Sequence, residues 1–313
     1  MLLTRTGNGC HLKITKKPMQ LLDGKQLAKT IRAELAEEVR KMTEAGKRAP
    51  HLAALLVGDD PASQVYVRNK VRSCEKVGFQ SSLIRKSADV SEEELLQIVQ
   101  QLNEDDAVDG FIVQLPLPGH IDEEKVTLAI DSKKDVDGFH PANFGRMAQG
   151  LPCYLPATPS GVLEMMRRYD IDTEGKEVVV LGRSNIVGTP MSILLSRKAK
   201  PGNATVTLCH SRTKNLQEHI RRADILVAAI GIPEFVTADM VRDGAVVIDV
   251  GINRVDAPER EKGYRLCGDV DFEGVKDKVA MITPVPGGVG QLTVVSLLMN
   301  TLKAARGEVY GKE

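Results

Sequence analysis

The sequence contains no tryptophan, few aromatic residues and no excess of charge of either sign. Aromatic residues make up 4% of the chain, and 42 lysines and arginines are balanced by 42 aspartates and glutamates. Proteins that bind nucleic acids or membrane surfaces usually carry an excess of basic residues. We therefore expect neither a nucleic acid nor a membrane among the partners of this protein.

Cysteine is scarce, and its positions fit neither a disulfide framework nor a zinc site. The number of cysteines is odd, and no two of them have the Cys-X-X-Cys spacing. Long apolar runs are also missing, since a bilayer span needs ~20 residues. We expect a soluble, cytoplasmic protein without a bound metal. The cysteines are Cys10, Cys74, Cys153, Cys209 and Cys267.

Residues 1–18 differ in composition from the rest of the chain. They are basic, contain no acidic residue and end at Pro18, just before Met19. They lack the apolar core of a secretory signal. A short transit segment would explain their charge, whereas an extended or artificial start would explain their lack of an amphipathic period. We favour the second interpretation, in which 1–18 form an N-terminal extension and Met19 is the true beginning.

Short apolar runs alternate with segments of helical period along the body of the chain. This pattern predicts repeated βαβ units and an α/β fold with a mainly parallel sheet. Because 313 residues exceed the usual ~100–200 of one domain, we expect two α/β domains around a cleft. Three prolines within 151–159 mark the boundary. The predicted strands are 51–57, 81–84, 110–113, 177–181, 204–209, 224–229 and 245–250. The predicted helices are 61–77, 91–103, 160–169, 188–198 and 214–222.

A glycine-rich turn in the second unit predicts a Rossmann-like, nucleotide-binding domain. The apolar run EVVVLG leads into GRSNIVGTP and then into a helix. A strand, a glycine-rich turn and a helix in this order present backbone N–H groups and the positive end of a helix dipole to a phosphate. The motif is not the common GxGxxG, because five residues separate Gly182 from Gly188. A plain tight turn is the alternative.

The residues after the next predicted strand favour NADP over NAD. A Rossmann domain that reads NAD usually has an acidic residue here, which binds the adenine ribose. This chain has His210, Ser211 and Arg212 instead, and Arg183 lies in the preceding turn. Guanidinium groups suit a 2′-phosphate, because they make bidentate contacts with phosphate oxygens. Alternatively, both arginines are ordinary surface charges.

In the first unit, a helix beginning at Pro61 carries the candidate chemistry. Ser63, Tyr66 and Lys70 are spaced i, i+3 and i+7, so they share one helix face. A phenol beside a lysine can support proton transfer. A solvated lysine is the more frequent outcome of such a pattern, and spacing alone does not identify a catalyst.

Two further segments carry polar groups where ligands usually bind. Gln114 ends an apolar strand, and functional groups of open α/β sheets gather beyond the carboxyl ends of strands. Asp135 and Asp137 lie in DVDG, where they could bind a ligand or merely shape a turn. The segment TPVPGGVGQLT could bring its backbone close to a ligand or serve as an interdomain loop.

Seven motifs together resemble one known family. They are YVRNK, VQLPLP, DVDG, GRSNIVGTP, VIDVGIN, GDVDF and TPVPGGVG, in this order between Gln20 and Ala305. The set is similar to the bifunctional methylenetetrahydrofolate dehydrogenase/methenyltetrahydrofolate cyclohydrolase family. The resemblance implies oxidation of 5,10-methylenetetrahydrofolate with NADP and then hydrolysis of the methenyl product to 10-formyltetrahydrofolate.

The resemblance also implies roles for the polar residues of the first unit. Lys70 would be the general acid/base, Tyr66 would stack near the folate ring, and Gln114 would tune Lys70 through a hydrogen bond. Asp137 would anchor the pterin, with Ser63 as a supporting contact. Asp135 then has the weaker claim. The loop that closes the folate side would contain Pro286, Gly287 and Gly288.

For the second unit, the resemblance implies an NADP site and a homodimer formed through the Rossmann units. The first domain would comprise 19–158 and 294–313, and the NADP-binding domain 159–293. The implied cofactor-binding residues are Gly182, Arg183, Ser184, Val187, Gly188, His210, Ser211, Arg212, Ile252 and Thr293.

One departure and two rival functions remain. The family usually has proline after PGGVG, whereas this chain has Gln291, which frees φ and adds a backbone donor near the ligands. One rival is a dehydrogenase without cyclohydrolase activity, or one that acts on another small substrate. The other is a non-catalytic nucleotide-binding module, because a fold alone does not guarantee a function.

Overall fold

The computed structural model describes residues 18–310, so the predicted extension 1–18 lies almost entirely outside the described residues. Within this range the strands are β1 (Gln20–Leu21), β2 (His51–Val57), β3 (Gln80–Lys86), β4 (Gly110–Val113), β5 (Glu177–Leu181), β6 (Thr205–Cys209), β7 (Ile225–Ala228), β8 (Val246–Asp249), β9 (Asn253–Asp256), β10 (Tyr264–Cys267) and β11 (Met281–Ile282). All of the predicted strands are confirmed, with small shifts at their ends.

The described helices include each one predicted from the sequence and several that were not predicted. They are α1 (Gly24–Glu44), α2 (Pro61–Lys76), α3 (Glu92–Glu104), α4 (Glu123–Ala129), α5 (Pro141–Ala148), α6 (Ala157–Arg168), α7 (Gly188–Ser196), α8 (Leu216–Arg222), α9 (Phe272–Val275) and α10 (Gly290–Arg306). None of the helices within 18–310 is long and apolar enough to cross a membrane.

Two parallel sheets organise the chain. The smaller has the order β3-β2-β4, and the larger has the order β1-β11-β8-β7-β5-β6. β2 and β5 each lie between two other strands and are almost wholly apolar, as expected for parallel strands that helices cover on both faces. β9 and β10 form a separate antiparallel ribbon.

Strand order places a crevice at the carboxyl end of the larger sheet. β6 pairs with one edge of β5, and the chain then crosses over so that β7 pairs with the other edge. Helices on either side of such a reversal diverge, and ligands of open α/β sheets bind in the opening. The crevice therefore lies where β5 and β7 end.

The last helix packs against helices from distant parts of the chain. α10 packs against α1, α2 and α6. Its buried residues include Leu292, Val295 and Leu298, which lie in one apolar core with residues of both sheets. β1 pairs with β11 in the larger sheet, although the predicted division assigns residues 19–158, and so β1, to the first domain. The domain bounds as a whole remain a prediction.

Candidate active site and cofactor crevice

Three polar side chains from three different elements meet beside the smaller sheet. Lys70 Nζ donates to Gln114 Oε1 at 3.4 Å and lies 4.0 Å from Asp137 Oδ2. The Lys70 side chain is 13% exposed and that of Asp137 is 18% exposed, so the ion pair is shielded from bulk water but remains reachable. An ammonium group held between an amide and a carboxylate is suited to proton transfer.

The position of Lys70 follows from how α2 begins. Asp60 caps the helix by accepting from Ser63 N at 2.7 Å, and Pro61 occupies its first turn. Ser63 is buried, whereas Tyr66 is 52% exposed. The predicted helix face therefore runs from the core to solvent, with Lys70 between these extremes. Among the described residues, no hydrogen bond or ion pair joins the side chain of Ser63 or Tyr66 to Lys70, Gln114 or Asp137.

Gln114 is held by its own backbone at the end of β4. Its N–H donates to Leu55 O at 2.9 Å, which extends the pairing of β4 with β2 by one residue. Its side-chain Nε2 donates to Leu115 O at 2.7 Å. Because the amide nitrogen is engaged there, Oε1 faces Lys70.

The two carboxylates of DVDG have different surroundings. Asp135 is buried and accepts from Phe139 N, His140 N and Asn143 Nδ2 at 2.8–3.2 Å. Burial raises the pKa of Asp135 to about 6, although these hydrogen bonds oppose the change. Asp135 thus shapes the turn, while Asp137 points to Lys70.

Asn300 fixes this turn from the last helix. Its Nδ2 donates to Val136 O at 2.8 Å and to Leu155 O at 2.9 Å. Val136 separates the two aspartates, so α10 reaches the backbone beside Asp137. Asn300 was not identified from the sequence, because an asparagine in an amphipathic helix carries no signal of its distant partners.

The loop with Pro286, Gly287 and Gly288 packs against the start of α1. Lys25 N donates to Gly287 O at 2.9 Å, and Gly287 has a φ of +114°. A Cβ atom added to Gly24 would lie 2.0 Å from Gly288 O. The loop therefore depends on glycine both for its own conformation and for its contact with α1.

The glycine-rich turn after β5 has no room for a side chain at Gly182 or Gly188. A Cβ atom on Gly182 would lie 2.1 Å from Ala229 O, at the end of β7, and one on Gly188 would lie 1.9 Å from Gly182 O. Ser184 stabilises the turn, since its Oγ accepts from Val187 N at 3.2 Å. This cradle brings bare backbone and the first turn of α7 to the crevice, which fits the diphosphate of a dinucleotide.

The predicted ribose-binding residues lie beside this turn. Leu181 and Cys209 are partners in the register of β5 and β6, so Arg183 and Ser211 follow the ends of neighbouring strands. The side chains of Arg183, Ser211 and Arg212 are exposed. His210 Nδ1 accepts from Arg212 N at 3.1 Å and so shapes the second turn. The structure therefore brings the two predicted guanidinium groups to one edge of the sheet.

Ile252 and Thr293 lie where the chain passes from the larger sheet into α10. Ile252 is 50% exposed, and its Cδ1 would be 2.8 Å from a Cβ atom on Gly290. Thr293 Oγ1 and Thr158 Oγ1 are 3.0 Å apart and join α10 to α6. Gln291 occupies the first turn of α10, where proline would also fit, and its N–H donates to Gly288 O at 3.2 Å.

Two buried aspartates support the crevice and were not identified individually from their motifs. Asp249, in VIDVGIN, accepts from Gly251 N, Asp269 N and Val270 N at 2.9–3.0 Å. Burial raises the pKa of Asp249 to about 7. Asp269, in GDVDF, accepts from backbone groups after β7. Within 18–310 no cluster of histidine, cysteine and acidic residues is suited to a metal.

Known proteins match this arrangement along nearly the whole chain. Residues 22–137 match the catalytic domain of tetrahydrofolate dehydrogenase/cyclohydrolase, and residues 156–309 match its NAD(P)-binding domain. The bifunctional protein FolD of Bacteroides fragilis is 58% identical over 292 residues, which are 93% of this chain and 100% of the relative. The chain belongs to the tetrahydrofolate dehydrogenase/cyclohydrolase family. The resemblance carried by the seven motifs is confirmed.

Solved structures of this family share the fold. One is the bifunctional enzyme FolD, a methylenetetrahydrofolate dehydrogenase/cyclohydrolase, from Campylobacter jejuni. It is 46% identical with a TM-score of 0.87, and the match covers 93% of this chain and 99% of that one. Another is the Trypanosoma brucei FolD complexed with NADP cofactor and inhibitor, 39% identical with a TM-score of 0.87 over 94% and 100% of the two chains. These matches confirm the two-domain α/β fold with a Rossmann-like NAD(P)-binding domain.

Proposed function

We propose that this protein oxidises 5,10-methylenetetrahydrofolate with NADP and then hydrolyses the methenyl product to 10-formyltetrahydrofolate. The observation that carries the proposal is that Gln114 Oε1 and Asp137 Oδ2 both lie within 4.0 Å of Lys70 Nζ in a protein of this family. Family relatives named bifunctional, and the NADP complex of one of them, support it further. The cradle at Gly182 and Gly188 fits the diphosphate of the cofactor.

The residues of this chain divide the work between binding and proton transfer. Gly182, Ser184 and Gly188 would hold the diphosphate, and NADP, when bound, supplies the acceptor for the hydride that leaves the methylene carbon. That step depends chiefly on how the domains position the two reactants. Asp137 would anchor the pterin, and Tyr66, exposed beside the cluster, would pack against the folate ring.

Hydrolysis requires proton movement, which we assign to Lys70. Water adds to the methenyl carbon, the bond from that carbon to N5 breaks, and one proton is released to solvent overall. Lys70 would relay protons between the attacking water and the leaving nitrogen. Gln114 would hold the Nζ atom in place for both transfers. Ser63 would support the helix turn that carries Tyr66.

A spectrophotometric assay tests the proposal. Purified protein is mixed with 5,10-methylenetetrahydrofolate and either NADP or NAD, and spectra are taken before and after acid quenching. Acid converts any formyl product back to methenyl, so the two readings separate the steps. Turnover with NADP and accumulation of formyl product are expected. Methenyl product without formyl would indicate the dehydrogenase that lacks cyclohydrolase activity, and no turnover would indicate a binding module.

We expect Arg212 to contribute to the choice of NADP over NAD. Arg212→Ala removes a guanidinium group that would pair with the 2′-phosphate, so the KM for NADP should rise about 10–100-fold. The KM for NAD, which lacks this phosphate, should not change. Arg85→Ala in β3, on the other sheet, is the matched control. Equal changes for the two cofactors would contradict the assignment.

A homodimer in the cytoplasm is the setting we propose for this enzyme. The β9–β10 ribbon supports it, because within the described part of the chain these strands pair only with each other, and Leu266 on the ribbon is 38% exposed. Cys74, Cys153, Cys209 and Cys267 are buried free thiols, which fits a reducing compartment. Sedimentation equilibrium should give twice the mass of the chain, and a monomer would contradict the proposal.

A further inference from the structure

Asp269 gathers hydrogen-bond donors from two separate segments of the larger sheet. The residue is fully buried. Its Oδ2 accepts from Ile230 N at 2.6 Å and from Gly231 N at 3.0 Å. Its Oδ1 accepts from Ile232 N at 3.0 Å and from Asn253 Nδ2 at 2.9 Å. One carboxylate thus joins the loop that follows β7 to the first residue of β9, where the loop that follows β8 ends.

Both of these loops lie at the carboxyl end of the larger sheet, and the loop after β7 adjoins the glycine-rich turn. The backbone of Gly182 approaches the end of β7 at Ala229, one residue before the segment that Asp269 holds. Ile252 precedes Asn253 and reaches the start of α10. Asp269 therefore fixes the side of the crevice that adjoins the glycine-rich turn.

The two loops also present apolar surface to solvent. Ile232 is 47% exposed and Ile252 is 50% exposed, and each is next to or part of a segment that Asp269 anchors. Exposed isoleucines on a backbone held this rigidly suit an apolar ring face rather than a charged group. A dinucleotide has such ring faces at both of its ends.

Packing and hydrogen bonds fix the orientation of the Asp269 side chain. A Cβ atom on Gly251 would lie 2.3 Å from Asp269 Oδ1, so the chain passes directly against the carboxylate. Asp249 Oδ1 accepts from Asp269 N at 3.0 Å and fixes the backbone of Asp269 in turn. The side chain is oriented from both ends.

We propose that Asp269 is a positioning residue for NADP, acting through Ile230, Ile232 and the loop that carries Ile252. The proposal rests on the proposed placement of the dinucleotide at this crevice. Asp269 does not touch the cofactor itself. It holds the two loops in the positions in which they contact the rings of the dinucleotide. Because the loops are already ordered, cofactor binding does not have to offset the entropy cost of ordering them.

Asp269→Asn tests the proposal with little change in shape. In either orientation of the new amide, its nitrogen would face at least one backbone N–H of Ile230, Gly231 or Ile232, so donors would oppose donors and the loop after β7 would be released. The Kd of NADP, measured by isothermal titration calorimetry without folate, should rise about tenfold or more. Cyclohydrolase turnover, assayed without NADP, reports in the same preparation whether the folate side is still folded.

Asp271→Asn is the matched control, because the same change occurs two residues later in the same motif. Asp271 caps α9 and accepts from Gly274 N at 3.2 Å, away from the two loops. The Kd of NADP for the Asp271→Asn variant should equal that for the unchanged protein. If Asp269→Asn also leaves the Kd unchanged, the proposal is overturned.

Asn253→Ala keeps the proposal testable if Asp269→Asn does not fold. It removes one donor to Asp269 and leaves the three backbone bonds in place. The Kd of NADP should rise severalfold, by less than the effect of Asp269→Asn, and an unchanged Kd overturns the proposal in that case. If the unchanged protein itself binds no NADP, the proposed function fails instead, so the two failures are distinguishable.

Discussion

Lys70→Met should abolish hydrolysis while leaving much of the dehydrogenase activity. Methionine fills a similar volume but cannot transfer a proton, and Lys70 Nζ is the only ammonium group that the described residues place beside Gln114 and Asp137. A positioned general acid/base contributes about 10²–10⁴-fold, so cyclohydrolase turnover should fall by that factor. Hydride transfer depends chiefly on positioning and should fall about tenfold or less. The two steps are measured by acid quenching, as above.

The matched control for Lys70 is on the same helix. Lys76 is exposed in the last turn of α2, and Lys76→Met should leave both activities unchanged. If Lys70→Met also left both activities unchanged, the assignment of Lys70 as the general acid/base would be withdrawn. Equal loss of both activities would instead make Lys70 a residue that binds the substrate.

Gly188→Ala should remove dinucleotide binding. The new Cβ atom would lie 1.9 Å from the backbone oxygen of Gly182, and no side-chain rotation relieves this contact, because the backbone fixes the position of Cβ. The turn must open, and displacement of the phosphate cradle by about 1 Å is expected to lower kcat/KM for dehydrogenation about 100-fold or more. Cyclohydrolase activity, which does not need the cofactor, should be retained. Steady-state kinetics with varied NADP measure the effect.

Gly145→Ala is the control for this substitution. Gly145 lies within α5, and beyond its chain neighbours and the adjoining helix backbone no heavy atom is within 4 Å of the position of its added Cβ atom. Alanine should therefore stabilise the protein by about 0.5–1 kcal/mol, because it restricts the unfolded chain and favours the helix. Normal NADP kinetics in Gly188→Ala would show that the glycine-rich turn does not hold the cofactor.

The strands could be predicted because they are short apolar runs between turn residues. β2 and β5 read as HLAALLV and EVVVL, and parallel strands buried on both faces need this composition. α1 and α5 were missed for different reasons. α1 begins at Gly24, shortly after residues 1–18, which lack an amphipathic period. α5 has only eight residues, of which Asn143 and Met147 are buried, so its apolar pattern is too short to indicate a helix.

The site was only partly predictable, because its residues come together through tertiary contacts. Lys70, Gln114 and Asp137 were each singled out, but the 3.4 Å and 4.0 Å contacts that join them depend on where α2, β4 and the turn after Asp135 pack. Asp269 is an example of a residue whose role could not be predicted from the sequence. Its motif was noted, but four donors converging on one carboxylate cannot be read from GDVDF.

α10 has a consequence for how the two ligands influence each other. The helix starts at Gly290, against Ile252 of the crevice, and ten residues later Asn300 holds the backbone beside Asp137. Any tilt of this helix caused by the dinucleotide would change the surroundings of Asp137, the proposed pterin anchor. If NADP changes the affinity for folate by some factor, thermodynamic linkage requires that folate changes the affinity for NADP by the same factor.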